Sequence, residues 1–286
     1  MARSTTTNTF TQAGRRVERT ARSALRNPWV ERLARLGFAA RGVVYALIGI
    51  LAVQTAFGAR SAAKIADTRG VLQMVAHQSR ALLWLLALGL FGYALWRVIQ
   101  GVLDPENEGS DAKGLALRTG IVISGLIYGG LAYAAVRIAM GAASSGGKDT
   151  QGWTADLMTK PFGRWLVAIA GLCILGSGCG QIWRGWTEKF RHNLKLQEMD
   201  PTEQRVAIQS GKLGLIARGI VFLLSGWFLV QAALKFDPNE ARGLGGALEA
   251  LARQPHGQWL LALVAVGLIA FGAYSLLLAR YRRIVV

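Results

Sequence analysis

The same pair of apolar segments occurs three times along this 286-residue chain. The first segment of each pair repeats one spacing of two glycines, an aromatic residue and a polar residue. The copies are Gly37, Gly42, Tyr45 and Gln54; Gly120, Gly125, Tyr128 and Arg137; and Gly214, Gly219, Phe222 and Gln231. The second segments carry Gly89 and Arg97, Gly176 and Arg184, and Gly272 and Arg280. Spacings shared by three copies indicate one duplicated structural unit.

Six runs of the chain contain no Asp, Glu, Lys or Arg: 42–59, 81–96, 119–136, 165–183, 219–234 and 254–279. A transmembrane helix needs about 20 mostly apolar residues to cross a hydrocarbon core of about 30 Å. Buried helices of soluble proteins are shorter and show a polar face, whereas these runs are apolar on every side. We therefore predict an all-α integral membrane protein, with six transmembrane helices in three tandem helical hairpins around a pseudo-threefold axis.

The repeats are expected over residues 31–104, 112–190 and 204–283, after a basic tail over residues 1–30. The three outer loops share a glycine followed by a short amphipathic run, at Gly70, Gly152 and Gly243. Each run is typical of a short helix lying in the membrane interface. The second and third runs continue into a Pro-x-Gly sequence that the first lacks, so the first loop is expected to turn differently.

The net charge of +17 invites comparison with nucleic-acid-binding proteins. The chain has no zinc-finger spacing, RNA-binding signature or aromatic-basic sheet pattern, so we predict no nucleic-acid partner. A membrane protein concentrates Lys and Arg on its cytoplasmic side. Because the richer share lies at the end that carries both termini, we expect both termini in the cytoplasm.

The N-terminal tail has no short apolar stretch with a cleavage site, so it does not read as a secretory signal. Arg15, Arg19, Arg22 and Arg26 recur at helical spacing and form one stripe. Two interpretations stay open: the stripe rests on anionic headgroups, or the tail is disordered and only enforces topology. A Ser-, Thr- and Arg-rich composition also resembles an organelle transit peptide.

A known family shows the same pattern of three hairpins, each with Ala-Arg-Gly-x-x-Tyr/Phe early in its first helix. The motif stands at Ala40–Tyr45 and Ala217–Phe222, while Ile123-Ser124-Gly125 replaces Ala-Arg-Gly in the middle copy. Over residues 31–283 the chain resembles the DUF1206 family of bacterial membrane proteins of unknown function. The resemblance implies a bacterial inner-membrane location and no known activity.

Arginines at the cytoplasmic ends of the spans are the candidates for binding an anion or an anionic lipid: Arg41, Arg97, Arg184, Arg218 and Arg280. Arg41 and Arg218 are expected one turn inside spans one and five. A charge within a span is costly, and guanidinium groups bind phosphate in a bidentate way. The alternatives are that the long side chains only reach the interface, or that they pair with Asp104, Glu106 or Glu188.

A second polar set, Gln54, Arg137 and Gln231, holds equivalent places near the outer ends of the odd spans. These residues either ring an outer vestibule that favours anions or are ordinary interfacial residues. Close helix packing is expected at Gly42, Gly125, Gly129, Gly176, Gly180 and Gly219.

Nothing in the sequence points to an enzyme. His77, His192 and His256 lie outside the predicted spans and are not spaced for a metal, and Cys173 and Cys179 face different directions on one helix. We expect no catalytic residue, metal or cofactor. The bilayer, with its anionic headgroups, is the expected partner. The sequence favours a membrane scaffold or an anionic-lipid-interacting protein; the alternative is a small channel or facilitator for an anion or small solute along the threefold axis.

Overall fold

The computed structural model describes residues 28–58, 67–104, 109, 111–141 and 150–282, so the predicted arginine stripe of the tail lies outside the described residues. Over those residues the chain forms nine α-helices and no strand. The helices are α1 (Pro28–Ala56), α2 (Thr68–Gln78), α3 (Arg80–Leu103), α4 (Ala112–Ala139), α5 (Thr150–Met158), α6 (Gly163–Trp186), α7 (Pro201–Lys235), α8 (Leu244–Ala252) and α9 (Gly257–Tyr281).

Six of these helices, α1, α3, α4, α6, α7 and α9, are long and apolar enough to cross a membrane. They form three consecutive hairpins, which confirms the predicted all-α membrane architecture. The short helices α2, α5 and α8 lie in the three loops at the end of the bundle opposite the chain termini, which confirms that each of these loops contains a short helix. The protein is therefore a multi-pass membrane protein built from three repeats.

Local sequence explains where several helices begin. The side chains of Asp67 and Asp111 accept hydrogen bonds from backbone N–H groups of the first turns of α2 and α4, at 2.6 and 3.0 Å. Such caps satisfy donors that a helix start leaves free. Phe162 and His256, within the two Pro-x-Gly sequences, adopt left-handed conformations before α6 and α9. The first loop, which lacks Pro-x-Gly, instead passes from α2 to α3 through the extended residue Ser79, as expected.

The helices pack in a cyclic order in which the second helix of each repeat contacts the first helix of the next. The packed pairs are α3 with α4, α6 with α7, and α9 with α1. Glycines allow these backbones to approach closely: a Cβ built on Gly272 would lie 2.8 Å from the carbonyl oxygen of Gly42, and one on Gly178 would lie 2.9 Å from that of Gly219. Small residues commonly mark such membrane-helix contacts.

At the end of the bundle that carries the chain termini, an equivalent basic residue connects the two helices of each of these pairs. Arg35 of α1 donates to the carbonyl oxygen of Ala279 in α9, at 2.9 Å. Arg118 of α4 donates to that of Gly101 in α3, also at 2.9 Å, and Lys212 of α7 pairs with Glu188 just after α6, at 3.6 Å. A cation near the carboxyl end of a helix is favourable, so part of the positive charge stabilises the bundle.

Within the repeats, two hairpins are closed and one is open. Helix α1 packs against α3, and α7 packs against α9, but α4 and α6 make no extended contact. The most apolar windows of α4 and α6 are each 22% buried, against 61% for α1. The ring of six helices therefore has a gap between the two helices of the second repeat, which we call the α4–α6 seam.

The contacts also correct the register of the second helices. At the crossings where Gly42 faces Gly272 and Gly219 faces Gly178, the equivalent Gly125 faces Ala94: a Cβ built on Gly125 would lie 3.0 Å from the carbonyl oxygen of Ala94. Ala94, Gly178 and Gly272 are thus equivalent, instead of the predicted Gly89, Gly176 and Gly272. The spacing alone misled because glycines recur often in closely packed helices, so several registers give a match.

Candidate anion-binding site

Arg41 lies inside the bundle and not at its surface. It is 7% exposed, and its Nη1 atom donates a hydrogen bond of 2.6 Å to the hydroxyl oxygen of Tyr93. Its guanidinium carbon lies 4.5 Å from the ring centre of Phe271 and 5.1 Å from that of Tyr93. Its Nε atom is buried and bonds to no described atom. The charge is therefore held by aromatic faces and one hydroxyl.

Arg218, from the third repeat, approaches the same rings. Its Nε donates to the hydroxyl of Tyr45 and its Nη1 to Oε1 of Gln181, both at 2.9 Å. Its guanidinium carbon lies 5.0 Å from the centre of the Phe271 ring, the ring that Arg41 also contacts. Two cations from different repeats thus contact the same aromatic ring, and each such contact is worth about 0.5–2 kcal/mol.

Arg97 completes the group through a contact with the Tyr93 ring. Its guanidinium carbon lies 5.7 Å from the centre of the Tyr93 ring, and its Nη1 donates to Oε1 of Gln100 at 3.1 Å. Its Nε, like that of Arg41, is buried and bonds to no described atom. We call Arg41, Arg97 and Arg218, with Tyr45, Tyr93, Phe271 and Gln181, the arginine cluster.

The arginine cluster has no carboxylate counterpart among the described residues. Among the described residues, no Asp or Glu oxygen lies within 4.0 Å of its three guanidinium groups; the ion pairs involve other residues. Glu188 pairs with Lys212 at 3.6 Å, and Asp104 approaches Arg118 to 3.8 Å, while Glu106 lies outside the described residues. A buried cation without an anion is costly, so this arrangement can lower its free energy by taking up an anion.

Arg41 and Arg218 lie deep within their helices, although the prediction concerned only their depth in the spans. They lie about 20 and 25 Å along α1 and α7 from Pro28 and Pro201, at 1.5 Å per residue. Both helices begin well before their charge-free runs. Measured from the opposite helix ends, a core of about 30 Å would place both arginines about 5–8 Å inside its boundary at the termini end.

The other two predicted arginines lie outside the arginine cluster. Arg184 is exposed on α6. The side chain of Arg280 is 74% exposed and approaches Glu203 to 3.9 Å. With the corrected register, the equivalents of Arg97 are Gln181 and Ser275. Gly101 and Gly185 support this register because they pack on equivalent residues, Arg118 of α4 and Lys212 of α7. The predicted five-arginine set therefore divides into three clustered and two surface residues.

The outer polar set is not joined by hydrogen bonds in the part of the chain that the structure describes. Gln54 is exposed, and Arg137 and Gln231 are half-buried. Of the glycines expected at helix contacts, Gly42, Gly125 and Gly219 lie at close crossings. A Cβ built on Gly129 would make only an ordinary contact, 3.8 Å from the Cβ of Ala94. A Cβ on Gly176 or Gly180 would meet no described atom within 4 Å, because both face away from α7 at the open side of α6.

Sequence reasoning missed Tyr93, Phe271 and Gln181. Tyr93 and Phe271 become equivalent only in the corrected register, where each packs its backbone against a first-helix glycine, Gly37 or Gly214. Of these three residues, Gln181 could have been found from the sequence, because it is a polar residue inside a charge-free run.

Three segments of the chain, residues 36–104, 119–188 and 213–282, match the family model "Domain of Unknown Function (DUF1206)". The curated "Uncharacterized protein YxxB" of Bacillus subtilis (strain 168) is 35% identical over 257 residues, covering 89% of this chain and 92% of that protein. No solved structure matches the chain.

Proposed function

This chain belongs to the DUF1206 family, and from that premise we propose that it is a non-enzymatic membrane protein that binds an anionic, phosphate-type group at the arginine cluster. The group is carried by a lipid or is free in solution. One observation carries the proposal: three guanidinium groups converge on shared aromatic rings with no described carboxylate among them.

The geometry favours an oxyanion over a structural role alone. A guanidinium has five N–H donors and no acceptor, and the buried Nε atoms of Arg41 and Arg97 bond to nothing described. A phosphate-type group has several acceptor oxygens, and its bonds to Arg are charge-assisted. Binding one would satisfy these donors and offset the repulsion among the three cations.

We place the protein in the bacterial inner (plasma) membrane with both termini in the cytoplasm. The N-terminal ends of α1 and α7 and the C-terminal ends of α3 and α9 lie at the basic end of the bundle. Arg35, Arg118 and Lys212 lie at this end. Basic residues are retained on the cytoplasmic side of bacterial membranes. The arginine cluster then lies in the half of the bilayer that faces the cytoplasm.

The test compares Arg218→Gln with Arg280→Gln in detergent-purified protein. Inorganic phosphate and phosphatidylglycerol are added separately, and thermal unfolding and native mass spectra are recorded. A ligand at 100 times its Kd stabilises the native state by about 2.7 kcal/mol. We expect wild type and Arg280→Gln to be stabilised by at least one of the two probes, and Arg218→Gln to lose that effect.

Arg218→Lys guards against an ambiguous result from misfolding, since it keeps the charge and removes the planar fork. We expect it to fold and to bind more weakly than wild type. If neither probe binds the wild type, or if Arg218→Gln and wild type respond alike, the proposed anion site is wrong.

A further inference from the structure

The α4–α6 seam exists because the second repeat differs from the other two at the inner crossing of its hairpin. In each closed hairpin a glycine and an alanine from the two helices are in contact at this crossing. A Cβ on Gly89 would lie 2.5 Å from the Cβ of Ala40, and a Cβ on Gly267 would lie 2.2 Å from that of Ala217. At the equivalent place in the second repeat stand the larger residues Ile123 and Cys173, and both are exposed. The two helices of that repeat do not close.

The open face of α6 has also lost the aromatic side chains that fill the closed hairpins. Tyr93 and Phe271 are each 1% exposed, and their equivalent on α6 is the exposed Ser177. One turn further along, Trp96 and Tyr274 are 3% and 4% exposed, and their equivalent is the exposed Gly180. Side-chain volume is thus missing from the seam at the level of the arginine cluster.

The first helix of the second repeat shows the same change. Ser124 replaces the arginine found at Arg41 and Arg218. Ile127 is 65% exposed, although its equivalents Val44 and Val221 are 2% and 1% exposed. The second repeat therefore presents an apolar wall where the others present packed core.

The arginine cluster borders this seam. Gln181 on α6 accepts a hydrogen bond from Arg218, and Tyr128 on α4 packs edge-on against the Tyr93 ring, with ring centres 4.6 Å apart. Both helices that flank the seam thus reach the cluster with a polar or aromatic side chain. The Nε of Arg41, which is buried and bonds to no described atom, belongs to the same cluster.

We propose that an anionic phospholipid enters sideways through the α4–α6 seam, with its phosphate at the arginine cluster and its acyl chains along α4 and α6. This inference rests on the proposed function and specifies the source of the anion. The positive cluster complements the phosphate, and the apolar seam walls complement the acyl chains. The arginines of the cluster lie about 5–8 Å inside the core boundary, and an arginine side chain is long enough to reach that boundary. A purely water-soluble anion has no need of a seam that opens to the bilayer.

The test is Ser177→Phe, which restores the side chain that Phe271 supplies in the third repeat. Its matched control is Cys179→Phe, because Cys179 is also exposed on α6 but its equivalent, Leu95, is exposed as well and faces outward. In native mass spectra with phosphatidylglycerol, we expect the lipid-bound fraction of Ser177→Phe to fall about tenfold or more. Cys179→Phe should bind as wild type does.

Inorganic phosphate separates this inference from the proposed function. If phosphate stabilises the wild type while phosphatidylglycerol never binds, the anion site stands and lateral lipid entry is wrong. If Ser177→Phe retains lipid at the wild-type level, lateral entry is also wrong. Conversion of a wild-type dimer into a monomer by Ser177→Phe would show that a second copy of the chain covers the seam, and would overturn the inference.

A second measurement avoids any folding defect of Ser177→Phe. In a Cys179→Ser background, Cys173 in the seam is modified with a bulky maleimide after the protein has folded; the control modifies Cys179 in a Cys173→Ser background. We expect loss of bound lipid only when Cys173 is modified. Equal lipid binding in both modified proteins contradicts lateral entry.

Discussion

Within the described part of the chain, the hydroxyl of Tyr93 is the hydrogen-bond acceptor of Arg41, and Tyr93→Phe removes only that hydroxyl. The ring stays, so the cation–π contact at 5.1 Å is kept, and Phe271 shows that this position of a repeat accepts phenylalanine in a fully packed core. What is lost is the hydrogen bond of 2.6 Å. A hydrogen bond to a charged group contributes about 1.5–3 kcal/mol.

The membrane setting decides where in this range the effect should fall. Interhelical hydrogen bonds in membrane proteins average only about 0.6 kcal/mol, because the unfolded chain in the bilayer finds other partners. Arg41 is 7% exposed and already has one unpartnered buried nitrogen, so a replacement partner within the fold is hard to find. We therefore expect a loss of about 1.5–2 kcal/mol, near the lower end of the charged-group range.

The assay is equilibrium unfolding in mixed micelles, with and without inorganic phosphate. Without phosphate, Tyr93→Phe should be less stable than wild type by the stated amount. With phosphate the difference should shrink, because an anion would satisfy the nitrogen that lost its partner. Tyr133→Phe, an exposed tyrosine of α4, is the control. A variant as stable as wild type without phosphate would refute the reasoning that the Arg41–Tyr93 bond holds the cluster together.

Three further predictions concern the fold and its orientation. Gly272→Ala should destabilise the protein by about 1–3 kcal/mol in the same unfolding assay, as overpacking does, whereas Gly176→Ala should be neutral or stabilising; equal effects would contradict the α1–α9 crossing. Asp111→Ala should cost about 1 kcal/mol by removing the cap of α4, which thermal unfolding against Asp111→Asn would detect. A fluorescent protein that folds only in the cytoplasm, fused after Val286, should fluoresce; a dark fusion at normal expression would reverse the orientation.

The sequence was sufficient for the spans and the repeats, because hydropathy over a span depends only on local composition. It was not sufficient for the start of α1. The charge-free run starts at Gly42, but the helix starts at Pro28, since the preceding turns are held by neighbours such as the α9 carbonyls that Arg35 binds.

The arginine cluster also depends on which faces turn inward. Arg218 reaches Tyr45, a residue 173 positions away, and no spacing within one repeat contains that contact. The same holds for the seam: Ile123 and Cys173 look like ordinary apolar residues until they are compared with the small pairs that close the other two hairpins.

The close crossing of α1 with α9 also bears on the order in which the bundle is assembled. The chain is synthesised from its N-terminus, so the first span enters the bilayer with the face that carries Gly42 and Gly49 unpaired. The partner of that face is the last span, and α3 and α4 can already associate while it is still being made. Closure of the ring is therefore a late event in biogenesis, and until then the membrane insertion machinery or neighbouring lipid must cover the glycine face of the first helix.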